Sequence, residues 1–413
     1  MLYHSTSSRY NTATLKEALL HTVVDSGALM PDRLPVIPKA IIASLPAMQL
    51  SDLAYCVAAS LFGEDVDLEI LRQIAMKTYS NQIPLVKLDK QVFALELWHG
   101  PTGTVKDYSV GFMAGLVDHI AVRQKEKVKI MATATSNVAK AIVHSYASRP
   151  GVEVVLLVPR IGAHNTDMRY MENVTSNIHF IDIRGTEHQC RQLMAEALGD
   201  KDLHHNGYVT AASTLNIGAL LPQTIHFFYA YSRAVAQGAS PDSIVFAIPC
   251  GNMAGLTAAV IAKRMGLPVK RIIATGNSNF RLKEYLETGE YPTHPTVNTM
   301  AHALDIAHPL NLARLKELYD NSHKAMAQDI VARSYDDGQI NNAVITARCA
   351  MSYEIDPHSA TAMLGVSECL EEGETGIILS TARPEQSTRH HNIKATNTIA
   401  PVYQQFKQAL SNT

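Results

Sequence analysis

The feature that most constrains this chain is an alternation that sets in from about residue 91, where short apolar runs are followed by amphipathic helical patterns. VKIMATAT precedes NVAKAIVHSYASR, and VEVVLLVPR, NIHFIDI and EHQCRQLMAEAL follow in turn. Runs without polar alternation read as strands buried on both faces, which calls for a parallel sheet with helices packed on each side. A second series repeats the pattern: SIVFAIPC, GNMAGLTAAVIAKRMG, VKRIIATGN, a helical stretch near 359–371 and the late strand TGIILSTA. The predicted fold class is α/β, with open, doubly wound sheets. A chain of 413 residues exceeds what one hydrophobic core usually holds, so two such domains are expected. Ahead of them, TLKEALLHTVVDSG, DLAYCVAASLFG and LEILRQIAMKTY carry apolar residues at three-to-four spacing. The expected division is a helical N-terminal extension over 1–90, an α/β subdomain over 91–240 and a second α/β domain over 241–413. The polar tail after about residue 387 reads as surface.

The charge balance removes several function classes. With 36 basic against 38 acidic side chains and a net charge of −2, there is no footprint for nucleic acid or an anionic membrane. No window of about 18 uninterrupted apolar residues appears, and the N-terminus lacks an apolar signal region. The five cysteines show neither zinc spacing nor an even disulfide count, and read as reduced thiols of a cytoplasmic protein. The 18 histidines give no HExxH or similar ligand spacing, so no catalytic metal is expected, and no GxSxG nucleophile elbow is present. Small-molecule chemistry is what remains.

In open parallel sheets ligands bind beyond the carboxyl ends of the strands, which directs attention to the segments that follow them. Pro249-Cys-Gly-Asn-Met-Ala-Gly255 lies between a strand and a helix. Its N–H groups suit a phosphate, although a tight strand-to-helix turn needs the same glycines. Ala134-Thr-Ser-Asn137 offers hydroxyls and N–H groups to a carboxylate, or simply caps the next helix. Thr381 ends the last strand, where it suits a heteroaromatic nitrogen or a structural bond, and Arg383 beside it suits an anion or solvent. Upstream, HGPTGTVKDY sets Lys106 among two glycines and a proline. In a closed pocket such an amine can form a Schiff base; on a solvated loop it would be an ordinary surface charge.

Together these segments resemble threonine synthases, of the group with a helical N-terminal extension, among the pyridoxal-phosphate enzymes of the tryptophan-synthase-β fold (fold type II). The family's HGPT-x-x-x-KD stands as His99-Gly-Pro-Thr102 with Lys106-Asp107, and its SGNFGD phosphate loop as Cys250-Gly-Asn-Met-Ala-Gly255. Its T-N-x-N segment corresponds to Gly276-Asn-Ser-Asn279, its N-A-M-D with P-x-N to Ala303-Leu-Asp305 with Pro309 and Asn311. Its E-P-H matches Asp356-Pro-His358, and its GTAHP matches Ser380-Thr-Ala-Arg-Pro384, in order as far as about residue 390. The resemblance implies that Lys106 anchors pyridoxal 5′-phosphate and shuttles protons. It further implies that Gly251, Asn252, Met253, Ala254 and Gly255 hold the phosphate, that Thr381 faces the pyridine nitrogen, and that Asn137 lies near the ring hydroxyl. Thr102, Thr135, Ser136, Asn137 and Arg383 are the implied substrate contacts. The implied reaction converts O-phosphohomoserine and water to threonine and phosphate, in a monomer or homodimer.

Departures from the family pattern fall where substrate is handled. The family's TSGDTG turn is Thr135-Ser-Asn-Val-Ala139, without its glycines, and the arginine of its N-x-x-R is Ala219. The lysine after its P-R-G is missing beyond Pro159-Arg-Ile-Gly-Ala163, whereas Lys140 and Arg383 offer replacement charges. Each lost charge-assisted hydrogen bond is worth roughly 1.5–3 kcal/mol to a bound dianion. The expectation is a retained cofactor and a shifted substrate: a threonine-synthase-like lyase, with a β- or γ-replacement enzyme or phospho-lyase of specialised metabolism, or a non-catalytic binding homologue, as alternatives.

Overall fold

A computed structural model describes residues 1–20, 27–124, 127–134, 137–161, 174–204, 207–384, 398–411 and 413. The chain forms two compact units, each gathered from separated segments. One comprises Met1–Asp32, Lys106–Ala219 and Glu385–Thr413, the other Arg33–Val105 and Leu220–Pro384.

The first unit is built on a five-stranded parallel sheet. Its spatial order is Thr398–Ile399, Ile178–Ile183, Val152–Pro159, Val128–Thr133 and Tyr208–Ala211. The inner strands are the apolar runs read from sequence, with Met131, Val155, Leu157 and Ile183 all buried. Helix Glu187–Gly199 closes its N-terminus with a reciprocal Thr186–Gln189 capping box and buries Cys190 and Leu193 in the same core. The C-terminal tail differs from the surface segment expected. From Thr398 it adds a strand to the sheet edge, and helix Tyr403–Ser411 buries Phe406 and Leu410 in that core. Tyr403, Phe406, Ala409 and Leu410 lie on one side of this nine-residue helix, but so short an amphipathic segment does not by itself tell a docked end from an exposed one. Residues Tyr3–Ser5, Ser8–Ala13 and Leu29–Pro31 form a small antiparallel sheet inside a stretch read mainly as helical. Two of these strands have only three residues, too few to carry a period, and Ser8–Ala13, SRYNTA, is mostly polar and exposed and offers no apolar alternation.

The second unit carries helices Leu50–Phe62 and Leu68–Thr78, close to the apolar periodicities read from sequence, the latter capped by the Asp67 carboxylate. Its six-stranded sheet runs in the order Ile330–Ser334, Arg271–Gly276, Ile244–Pro249, Thr375–Ser380, Val92–Glu96 and Leu85–Lys87. All neighbours pair parallel except the last, an antiparallel edge. Helix Pro357–Cys369 packs into the core on one face with Ile273, Ile378 and Tyr335. No helix of the described residues is long and apolar enough to cross a membrane.

Candidate active site

Parallel pairing in the second unit aligns the carboxyl ends of four neighbouring strands, because Thr275 is level with Pro249, Ala247 with Ile378, and Ser380 with Glu96. The segments singled out in the sequence, Gly276–Asn279, Cys250–Gly255, Thr381–Pro384 and Leu97–Val105, thus leave the sheet along one edge. This is where an open α/β sheet binds ligands.

The loop after Ile244–Pro249 turns through Met253, whose φ of 63° lies in the left-handed region, before helix Ala254–Arg264 begins. Such a residue points successive backbone N–H groups the same way, a geometry that gathers around anions. The Asn252 side chain accepts from the Ala254 N–H at 3.2 Å, and Cys250 donates its own N–H to the Thr275 carbonyl at 2.7 Å. Burial pushes the Cys250 thiol up to about 12, so it stays protonated. Gly251 is required by close approach: a Cβ there would lie 2.9 Å from the Ala303 carbonyl oxygen.

The segment carrying Ala303 is anchored from the next strand end. Asp305 Oδ1 accepts from Asn277 Nδ2 and Thr299 Oγ1, each at 2.8 Å, and from Asn279 Nδ2 at 3.2 Å. Burial nevertheless raises the Asp305 pKa, against the hydrogen bonds from Thr299 and Asn277. Behind the loop, Asn311 donates through its backbone N–H and Nδ2 to the Asn252 carbonyl, at 3.3 and 3.0 Å. Asn311 Oδ1 in turn accepts from the fully buried Arg314 at 2.7 Å.

At the next strand, Thr381 is fixed through its backbone. Its N–H donates to Ser359 Oγ at 3.0 Å and its carbonyl accepts from the Val105 N–H at 2.9 Å, one residue before Lys106. Ser359 Oγ donates to the buried Asp356 carboxylate, which also accepts from the His358 ring at 2.7 Å and from the His358 and Ser359 N–H groups. Thr104 bridges Ala382, and Arg383 donates its N–H to the Gly103 carbonyl at 2.9 Å, so the half-buried Thr102 borders a paired turn. The exposed Arg383 guanidinium lies 6.0 Å from the Trp98 ring centre. Trp98 stacks on His99, whose Nε2 is 2.6 Å from Glu96 Oε2, and its indole N–H donates to Ser380 Oγ at 3.0 Å.

Lys106 opens helix Lys106–Gln124 in the first unit, and burial lowers its pKa below the ordinary lysine value. In the same unit Asn137 begins helix Asn137–Tyr146 after strand Val128–Thr133, with Ala139 buried behind it. Thr135 and Ser136 lie outside the described residues. Asn216 is wholly buried and bonded to the Leu19 carbonyl at 2.7 Å and the Gly218 N–H at 2.9 Å, and Ala219 is 1% exposed. Arg160 pairs with the buried Asp182 at 2.6 Å.

Sequence reasoning missed Ser359, Arg314 and the bonding role of Asp356. The Thr381 N–H that Ser359 holds lies 22 residues away, and Asn311, the neighbour that accepts from Arg314, reaches the Asn252 carbonyl across 59 residues, outside any local motif.

Residues 2–79 match the family profile described as the threonine synthase N terminus. A threonine synthase of Serratia marcescens is 29% identical over 328 residues, covering 79% of this chain and 75% of that protein. The fold aligns over the full length of both chains with the threonine synthase of Escherichia coli (TM-score 0.87, 23% identity). It also aligns with a pyridoxal-phosphate-bound threonine synthase of Brucella melitensis (TM-score 0.89, 21% identity), covering 100% of this chain and 99% of that one.

Proposed function

We propose that this chain, a divergent member of the threonine synthase family with the fold-type-II architecture, is a pyridoxal-phosphate-dependent lyase that releases phosphate from a small phosphorylated amino acid such as O-phosphohomoserine and adds water to give threonine. The observation that carries the reading is Lys106. Its amine is desolvated and its pKa lowered, and it directly follows the turn whose Val105 N–H is bonded to Thr381. The donor set fits the cofactor: a nucleophilic amine, a left-handed loop opening an eleven-residue helix for the phosphate, and a neutral hydroxyl at Thr381 for the ring nitrogen. When bound, the cofactor supplies an electron sink for charge developing on substrate carbon.

The protein's part is binding and proton transfer. A lowered pKa leaves more of Lys106 neutral near pH 7, so that Nζ can take a proton from substrate Cα and return it. The N–H groups of Gly251 to Gly255 would hold the cofactor phosphate, with Asn137 near the ring hydroxyl. Thr102, Thr135, Ser136 and Asn137 would receive the substrate carboxylate, and Arg383, over Trp98, its distal anion. We place the enzyme in the cytoplasm, acting on a small amino acid as a monomer or homodimer.

A second reading has a specific support, namely that the family arginine is here the buried Ala219. With one fewer cation for the leaving group, the substrate would carry another leaving group, or elimination would end in 2-oxobutyrate. Incubating holoprotein with O-phosphohomoserine and following phosphate, threonine and 2-oxobutyrate separates the cases. Threonine with equimolar phosphate supports the first reading, 2-oxobutyrate with phosphate the second. No phosphate release at millimolar substrate excludes phosphohomoserine chemistry.

A further inference from the structure

Arg314 is among the largest side chains buried without solvent contact, and a buried guanidinium is costly unless its charge is used. Its position is unfavourable for helix reasons as well. It lies in the first turn of Leu312–Leu318, the end at which the helix dipole repels cations. Asn311 immediately precedes that helix, yet its side chain makes no cap hydrogen bond to it. Instead Asn311 Oδ1 accepts from Arg314 at 2.7 Å, while Nδ2 donates at 3.0 Å to the Asn252 carbonyl, which also takes the Asn311 N–H at 3.3 Å. The carbonyl of Asn252 shares its peptide bond with the N–H of Met253, the left-handed residue of the loop. Drawing electron density onto that carbonyl oxygen makes the Met253 N–H a stronger donor, since hydrogen bonds in a chain polarise one another.

We propose that Arg314 is the buried cation that makes the loop Gly251–Gly255 selective for a phosphate group, acting through Asn311 and the 252–253 peptide. It is a positioning residue and touches no ligand itself. The inference rests on the reading of that loop as the cofactor-phosphate site. Burial pushes its pKa down to about 9, against the attraction of the Glu317 carboxylate on the same helix, and the guanidinium still stays charged at neutral pH.

The test compares two probes on apoprotein, pyridoxal 5′-phosphate and pyridoxal, which differ only in the phosphate. Dissociation constants are read from the visible absorption of the bound aldehyde for wild type, Arg314→Met, Arg314→Lys and the isosteric Asn311→Asp. Asn311→Asp keeps the acceptor for Arg314 but cancels its field and removes the donor to Asn252. The expected result is a loss of about tenfold or more in pyridoxal-phosphate affinity for Arg314→Met and Asn311→Asp, with pyridoxal affinity changed less than about twofold. Arg314→Lys, which keeps the charge, should recover most of the phosphate preference. An unchanged ratio of the two affinities in Asn311→Asp overturns the inference, whether or not Arg314→Met folds. Wild-type protein that takes up neither probe overturns the cofactor reading instead.

Discussion

Replacing Gly251 by alanine tests whether the loop and its neighbouring segment form one rigid seat. The added Cβ would lie 2.9 Å from the Ala303 carbonyl oxygen, 3.1 Å from Leu304 Cα and 3.3 Å from Ile306 Cδ1. The two nearest atoms are backbone, and that backbone is held: Ala303 donates its N–H to His358 Nε2 at 3.1 Å, and Asp305 takes the Asn277, Asn279 and Thr299 donors. Relief by a rotamer change is therefore closed, and one segment must move. Overpacking of this kind costs typically about 1–3 kcal/mol. Gly255→Ala is the control, since its Cβ would meet only Ile248 Cγ2 at 3.3 Å and alanine gains up to about 1 kcal/mol over glycine in a helix. The assay is denaturant unfolding followed by Trp98, the only tryptophan in the chain and a member of the same unit, together with cofactor titration. Gly251→Ala should shift the unfolding midpoint down and weaken cofactor binding, while Gly255→Ala leaves stability nearly unchanged. If Gly251→Ala differs from wild type by less than about 0.5 kcal/mol and binds cofactor equally well, the rigid-seat argument is wrong.

Ser359→Ala removes the bond that fixes the Thr381 N–H and leaves the Asp356 carboxylate one donor short, a loss of about 1–3 kcal/mol. Because Trp98 is bonded to Ser380, its emission should shift in this variant, and an unchanged spectrum with unchanged stability would count against the arrangement. Lys106→Met should stabilise apoprotein at neutral pH, since a lysine whose folded pKa is lowered opposes folding while protonated. The advantage should shrink as pH rises through the folded pKa toward the unfolded value near 10.5, and a pH-independent difference would refute it. Glu374 is fully buried; burial alone would raise its pKa, but Arg271, the Glu371 N–H and Lys270 hold it down at about 2. Its share of stability is present above about pH 4.5 and should be lost as pH falls toward 2, a dependence that acid titration of Glu374→Gln should lack.

Apolar strands of the parallel sheets were legible because burial on both faces leaves a continuous signature, as in VEVVLLVP and IVFAIP. The chemical segments were legible because glycine, proline and hydroxyl residues at strand ends carry local geometry, as Met253 and Gly251 illustrate. Strand order is not local, so nothing in TGIILS shows that it lies between Ile244–Pro249 and Val92–Glu96. The same holds for Ser359 and Arg314. Ser359 meets Thr381, and Arg314 acts through its neighbour Asn311 on Asn252, only because tertiary packing brings Thr381 and Asn252 near; alone the two read as a helix serine and an ordinary surface arginine. Ile330–Ser334, a short edge strand ending in arginine and serine, also escaped the apolar criterion.

The central claim is that Lys106 anchors the cofactor, and the direct measurement is borohydride reduction of the yellow holoprotein followed by peptide mass spectrometry. The account predicts one pyridoxyl-phosphate adduct, on the peptide containing Lys106, and neither colour nor that adduct in Lys106→Ala. An adduct on another lysine, or wild-type protein that stays colourless with excess cofactor, would contradict it.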